Sequence, residues 1–192
     1  MQIGKIYEFL NKALPADAIV ANGAGNYTAW LHRHYQYRDF KTQLAPTSGA
    51  MGYGVPAAIA AKIAEPKRAV VAVTGDGCFL MTGQELATAV QEKAAVIFLV
   101  FNNSMYGTIR MHQEKHFPGR VSGTGLVNPD FAAFARSFGI KGTRVSSNPA
   151  FAKAFRAALA SRRAALIEVV VDAEAISPTA SLADFRKTKG SN

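Results

Sequence analysis

Two apolar runs in this chain end in small polar residues that could share a metal. "AVVAVT" (69–74) leads into "GDG" (75–77), and "AVIFLVF" (95–101) leads into "NN" (102–103). The first end carries the Asp76 carboxylate and the second the carboxamides of Asn102 and Asn103. One carboxylate with one or two neutral oxygens is a poor cage for a bare cation. It suits Mg²⁺, which takes few protein ligands and completes its octahedron with water and phosphate oxygens. Gly75 and Gly77 would let the backbone approach a phosphate closely, and a helix starting just beyond would offer free N–H groups and a positive dipole end. The expectation is a phosphorylated cofactor held through Mg²⁺.

Taken singly, "GDG" and "NN" are each ordinary turn chemistry. Their spacing adds the information, because residues 78 to 101 hold one helix and one strand. Right-handed crossovers place successive parallel strand ends on the same edge of a sheet, where ligands of such folds sit. Asp76 and Asn103 should therefore converge, about 5 Å apart at the strand ends if the strands are neighbours and twice that with one strand between.

The elements that would position them follow from periodicity. Residues 3 to 14 repeat apolar residues on one helical face, with Ile3, Ile6, Phe9, Leu10 and Leu14 in phase. "AIVA" (18–21) reads as a buried strand before the turn "NGAGN", and "YTAWLHRH" opens a helix. Residues 42 to 45 suggest a short strand, and "PTSGAMGYG" (46–54) leads to the alanine-rich helix "VPAAIAAKIA" with Pro56 in its first turn. A helix over "GQELATAVQE" separates the two apolar strands, and "MYGTIRMHQEKHF" is ambiguous. "NPDFAAFARSFG" reads as a helix capped by Asn128, with Pro129 first and Gly139 past its end. "KGTRV" is a strand, "NPAFAKAFRAALASRR" repeats the Asn-Pro helix start, and "AALIEVVVD" is the last strand. The tail from 175 to 192 is polar and should lie at the periphery. Alternating apolar strands and helices predict one α/β domain over 1–192, three-layered and doubly wound, with a mostly parallel sheet.

Composition narrows the class. With 192 residues and 49% hydrophobic content the chain can bury one substantial core. Apolar runs are too short for a membrane span, and the amphipathic start is unlike a signal peptide, so a cytoplasmic protein is expected. The formal charge of +9 raises nucleic acid as a partner, but Lys and Arg are scattered singly or in pairs. That distribution argues for a solvated surface, with any functional share serving an anionic ligand. The single cysteine, Cys78, cannot form an internal disulfide.

The "GDG" to "NN" spacing resembles the signature of thiamine diphosphate enzymes. "TSGAMGYGVPAAIAAK" (47–62) is similar to the glycine-rich segment before the first long helix in their acetolactate synthase-like branch, and "ANGAGNYTAW" (21–30) to that branch's diphosphate turn. The similarity covers most of residues 3 to 185 and fits the C-terminal, diphosphate-binding domain. It implies that Asp76, Asn103 and the Met105 carbonyl bind Mg²⁺. It also implies that Gly25, Asn26, Tyr27, Gly75, Gly77 and Cys78 meet the diphosphate, and that Tyr106 neighbours the cofactor. Met51 would prop thiamine diphosphate into a bent form, its N–H and the Gly49 carbonyl holding the aminopyrimidine edge. Bending would bring the pyrimidine's imino nitrogen against the thiazolium C2–H, so that the proton leaves within the cofactor.

The same resemblance implies what 192 residues lack. The family's pyrimidine-binding domain, with the glutamate that promotes the reactive tautomer, would have to come from a neighbouring domain or subunit. The chain is expected to be half of a site, as the C-terminal part of a longer 2-oxo acid decarboxylase or carboligase or as the small chain of a two-chain enzyme, inactive alone. A homodimer or larger assembly would border residues around Met51, Tyr53 and 105 to 111. Cys78 stands where the family commonly has Ser or another small residue. His112 stands where true acetohydroxyacid synthases place a channel tryptophan, the only tryptophan here, Trp30, lying elsewhere. That departure leaves the 2-oxo acid open.

Other constellations are weaker. His112 and His116 have helical spacing, but Gln113 stands where the His-Glu-x-x-His metalloprotease pattern needs its Glu. Arg110 lies near the expected site, against a surface-charge alternative, and His32 and His34 have no evident partner. "GAGNYT" has Gly23 and Gly25 of a dinucleotide fingerprint but Thr28 at the third glycine, and Asp39 comes too early for a ribose. A non-catalytic homologue that binds cofactor only is the remaining alternative.

Overall fold

The computed structural model describes residues 1–187. Its strands are β1 (Ile19–Asn22), β2 (Gln43–Leu44), β3 (Val70–Gly75), β4 (Val96–Asn102), β5 (Lys141–Val145) and β6 (Ala165–Val170). Between and around them run α1 (Ile3–Ala13), α2 (Tyr27–His34), α3 (Gly54–Ala64), α4 (Asp76–Thr82), α5 (Leu86–Gln91), α6 (Gly107–His116), α7 (Phe131–Ser137), α8 (Asn148–Ser161) and α9 (Leu182–Lys187). The strands form one sheet in the order β2-β1-β3-β4-β6-β5, with every pairing parallel.

The apolar strands explain the layers. Every residue of β3 and β4 is buried, as a strand covered on both faces requires. Side chains alternate between the faces. Val71, Val73, Leu99 and Phe101 meet α1, α2 and α8 through Leu10, Leu31 and Phe155. Val70, Ala72, Phe98 and Val100 meet α3, α5 and α7 through Ile59, Leu86 and Phe131. Each fully buried Val, Leu, Ile or Phe side chain contributes about 1.5–3 kcal/mol, so the two cores together can carry the several kcal/mol that each buried carboxylate costs.

The order of strands sets the place of the site. The chain runs from β1 outward to β2 and then returns past β1 to β3, so its direction of winding reverses between β1 and β3. Such a switch point opens a crevice at the carboxyl ends of the strands.

Four local expectations are corrected. The segment after "GDG" is interrupted: α4 starts at Asp76 itself, a 3₁₀ turn spans Gly83–Glu85, and α5 follows. The cap of α7 is Asp130, whose side chain accepts from the Ala133 N–H at 2.8 Å, and not Asn128. Likewise Ser147 caps α8, and Asn148 instead exchanges two hydrogen bonds with the backbone of Gln2. The tail is also less peripheral than its polarity suggests, since Ile176 and Leu182 are buried. Residues 188 to 192 of that expectation lie outside the described residues. The ambiguous segment after Met105 is resolved as α6.

Candidate cofactor site

At the switch point lies a cleft of about 620 Å³, counting the solvent space at its open mouth. Three strand ends frame it: Ala24, Gly25 and Asn26 beyond β1, Asp76 to Cys78 beyond β3, and Asn103 and Met105 to Thr108 beyond β4. Strands β3 and β4 are direct neighbours with Gly75 opposite Phe101, so the Asp76 and Asn103 ends adjoin.

The turn after β1 is held from two sides. Thr108 donates to Asn26 Oδ1 at 2.8 Å, and the Cys78 thiol donates to the Ala24 carbonyl at 2.8 Å. Cys78 therefore fixes the turn with its side chain, leaving only its main chain for a ligand. Gly25 has φ +151°, outside the range comfortable for a side chain.

Gly75 and Gly77 seat aromatic rings as well as opening the backbone. A Cβ on Gly75 would meet the Tyr27 ring at 2.8 Å, and one on Gly77 would meet the Tyr106 ring at 2.7 Å. The two tyrosines thus lean on bare backbone, and both line the cleft. Met51 also lines it, whereas Gly49 is an exposed loop residue outside the lining.

Asp76 is 3% exposed. Burial pushes its carboxyl above the usual carboxylate range, opposed by hydrogen bonds from Asn128 and from the main chain of Gly77, Ser104 and Met105. Among the described residues no Lys, Arg or His reaches it within ion-pair distance. A buried carboxylate without a cation is costly, and a divalent ion would relieve that cost. Asn103 Oδ1 accepts from the Met105 N–H at 3.2 Å, turning the chain beside it. Asp76, Asn103 and the Met105 carbonyl are hard oxygen donors of the kind Mg²⁺ takes. Among the described residues no group of three His, Cys, Asp or Glu could hold a metal alone, so such an ion would rely on further oxygens such as those of a phosphate. The residues present fit both groups.

Other expected neighbours are elsewhere. Arg110 is committed to Glu114 at 3.3 Å and Thr124 at 3.2 Å. His112 and His116 stack on each other with centroids 6.2 Å apart, and neither lines the cleft. His32 is exposed, and His34 packs beside Gly4 of α1. Trp30 does line the cleft, from α2, and Val171, Ala175 and Ile176 reach it from beyond β6.

The positive charge is not directed at this cleft, whose lining contains no Lys or Arg. Instead Lys62, Lys67, Arg68, Lys93, Arg162 and Arg163 gather in a groove at the amino edge of the sheet. The ends of α3, α5 and α8 meet there, and cations complement the negative ends of helices.

Sequence reasoning missed three contributors. Asn128, taken for a cap, donates to Asp76 Oδ2 at 2.7 Å. Glu168, hidden in an apolar strand, accepts from Asn102 Nδ2 at 2.8 Å. Thr108 looked like one residue of an undecided segment. Only the Asp130 cap, two residues after Asn128, carried a sequence signal that could have freed Asn128 for another task.

Comparison with known proteins agrees with this geometry. Residues 23–169 match the family model described as "Thiamine pyrophosphate enzyme, C-terminal TPP binding domain". The chain is 36% identical over 155 residues to the mitochondrial acetolactate synthase catalytic subunit of Saccharomyces cerevisiae, covering 80% of this chain and 23% of that protein. It is 32% identical over 165 residues to the large subunit of acetolactate synthase isozyme 2 of Escherichia coli, covering 85% and 30%. A solved thiamine diphosphate-dependent 4-hydroxybenzoylformate decarboxylase from Rhodococcus jostii RHA1 superimposes with a TM-score of 0.84 at 29% identity, over 90% of this chain and 33% of that one. The chain thus spans about a third or less of the length of each of these relatives. It belongs to the family of the C-terminal, thiamine pyrophosphate-binding domain of thiamine pyrophosphate enzymes.

Proposed function

We propose that this chain holds the diphosphate of thiamine diphosphate through Mg²⁺, as the C-terminal half-site of an acetolactate synthase-like 2-oxo acid decarboxylase or carboligase. The observation that carries this reading is the meeting of the Asp76 and Asn103 ends on adjacent strands beside the Gly25 turn. Asp76, Asn103 and the Met105 carbonyl would hold the metal. Main-chain groups of Gly25, Asn26, Tyr27, Gly77 and Cys78 would meet the diphosphate, and Met51 would support the ring system from the cleft wall. When bound, the cofactor supplies an electron sink for bond changes next to a carbonyl. Similarity to acetolactate synthases and to a 4-hydroxybenzoylformate decarboxylase supports the 2-oxo acid class of substrate.

The cleft's own titratable side chains are Asp76, Cys78, Tyr27 and Tyr106. With Asp76 given to the metal, Cys78 to the Ala24 carbonyl and Tyr27 held protonated by burial, only Tyr106 is left to move a proton here, and a carboxylate for the cofactor ring would come from a second domain. We therefore assign the chain a partner, a pyrimidine-binding domain or subunit, and a dimeric or larger complete enzyme. Met81 and Ile109 are 47% and 51% exposed beside Gly52 and at the cleft mouth, apolar surface that such a partner would cover.

Calorimetric titration of thiamine diphosphate with and without Mg²⁺, on wild type and Asp76→Ala, tests the reading. Binding that requires both the metal and Asp76 is expected. Metal-independent binding unaffected by Asp76→Ala would sink it.

A further inference from the structure

We infer that Asn128 is the positioning residue for the metal-binding carboxylate, an inference that rests on the site reading above. Its amide nitrogen uses both protons, one on Asp76 Oδ2 at 2.7 Å and one on Asn102 Oδ1 at 2.9 Å. Both partners are acceptors at those atoms, and an ionised carboxylate can only accept. The amide orientation is thereby fixed, since the flipped form would set its oxygen against two oxygens.

The reverse side of Asn128 shows what the fold gives up for this. Asn128 Oδ1 is buried with no hydrogen-bond partner. A residue serving only to tie down a loop would have its carbonyl satisfied too. This side chain is placed for its two donors.

The path to the site is built for the same end. Residues 104 to 106 pair with 124 to 126 through Tyr106 N–H to the Thr124 carbonyl and Leu126 N–H to the Ser104 carbonyl, both 2.9 Å. That pairing delivers the chain to Asn128 beside the ends of β3 and β4. Asn102, the first of the Asn pair, links the two strands: its Oδ1 accepts from Asn128 and from the Ser104 N–H at 3.0 Å, and its Nδ2 donates to Glu168. Glu168 Oε1 in turn faces Arg144 at 3.4 Å. Asn128 thus holds Asp76 and, through Asn102, the turn that carries the Met105 carbonyl. Because Asp130 caps α7, Asn128 has no structural duty to that helix.

Partners behind metal ligands typically change metal affinity by 10–100-fold when removed. The test measures the Mg²⁺ concentration that half-saturates thiamine diphosphate binding to the 192-residue chain, in wild type, Asn128→Ala, Asp130→Ala and Asp76→Ala. Asn128→Ala should raise that concentration about 10–100-fold, with cofactor affinity returning to the wild-type value at saturating Mg²⁺. Asp130→Ala, which loosens the same loop and the start of α7 without touching Asp76, should leave it unchanged. An Asn128→Ala variant indistinguishable from wild type, or from Asp130→Ala, overturns the inference alone. Wild type and Asp76→Ala responding alike to Mg²⁺ overturns the site reading and this inference with it. In the cofactor-free chain, amide resonances of Gly77 and Ser104 give an independent reading. They should move in Asn128→Ala and stay in Asp130→Ala, and unmoved resonances in both variants count against the assignment.

Discussion

Arg186 of α9 reaches back to Glu114 of α6 at 3.0 Å, joining the last described helix to the helix that follows the metal-site turn. Glu114 is 1% exposed and also takes the Gly119 N–H at 3.1 Å and the Arg110 guanidinium. One carboxylate therefore gathers the far end of α6, the loop after it and α9. In the segment that leads into α9, Ile176 lines the cleft, so this junction also steadies a wall of the site.

The first prediction concerns acid. The Gly119 N–H, followed by Arg186, holds the Glu114 carboxyl below the usual range against the opposing effect of burial. A lowered folded pKa means that the stabilisation is complete above the unfolded value of about 4.3 and fades as pH falls through the folded value. Protection of the α9 amides, measured against their intrinsic exchange rates, should fall across that acid interval before that of β4. Glu114→Ala should remove the pH dependence and destabilise by about 1–3 kcal/mol in urea unfolding, because buried donors lose their acceptor. An α9 that stays protected in the variant contradicts the junction.

Asp76 should behave in the opposite sense. Its folded pKa is raised by burial, so between about 3.9 and the raised value the folded state binds more protons than the unfolded one, and stability falls as pH rises. Above that interval the ionised group opposes folding of the metal-free chain. Asp76→Asn is expected to melt above wild type without metal, with the difference shrinking as pH drops below that interval. It should also lose Mg²⁺-dependent cofactor binding. A lower melting temperature for Asp76→Asn in metal-free buffer would show that the carboxylate is structurally required.

A paired substitution tests the glycine seat. Gly77→Ala sets a methyl 2.7 Å from the Tyr106 ring, a clash that should cost about 1–3 kcal/mol in stability and displace the ring into the cleft. Tyr106→Ala removes the obstacle, so the double variant should be more stable than the sum of single effects implies. Strict additivity in thermal or urea unfolding would rule out the contact as the cause.

On the far side of the sheet, Gly142 of β5 leaves room for the backbone of α7: an added Cβ would run into the carbonyl of Ala132. Backbone cannot step aside as a side chain can. Gly142→Ala should therefore destabilise by about 1–3 kcal/mol or more, while cofactor affinity at low temperature stays close to wild type because β5 does not border the cleft. Urea unfolding and calorimetry on the same preparation read the two effects separately.

The legible part of this molecule was the part written in local pattern. Continuous apolar runs announced β3 and β4, and the polar residues ending them announced Asp76 and Asn103, because strand periodicity and crossover handedness place such ends predictably. Asn128 was misread because Asn, Pro and Asp in succession offer two good caps, and only the fold decides which one the helix uses. Glu168 was invisible for a different reason. A single acid in "ALIEVV" looks like an outward-facing residue until β5 and β4 are seen on either side of it. The reach of the tail to the cleft through Ile176 depends on the Glu114 junction, whose partners Arg110, Glu114 and Arg186 are far apart in the chain. The net charge gave the most misleading hint, suggesting attraction toward an anionic ligand that the cleft lining does not supply.

That misplaced charge has a consequence for how the molecule meets surfaces. Six of its cationic side chains share one groove at the amino edge of the sheet, while the cleft opens at the carboxyl edge. A negatively charged resin, bead or electrode would be met by the groove, and the chain would come to rest with its cleft turned toward the liquid. Immobilised in this way it stays open to small ligands without any engineered tether, and raising the salt concentration releases it, since the attraction is screened over about 10 Å at 0.1 M.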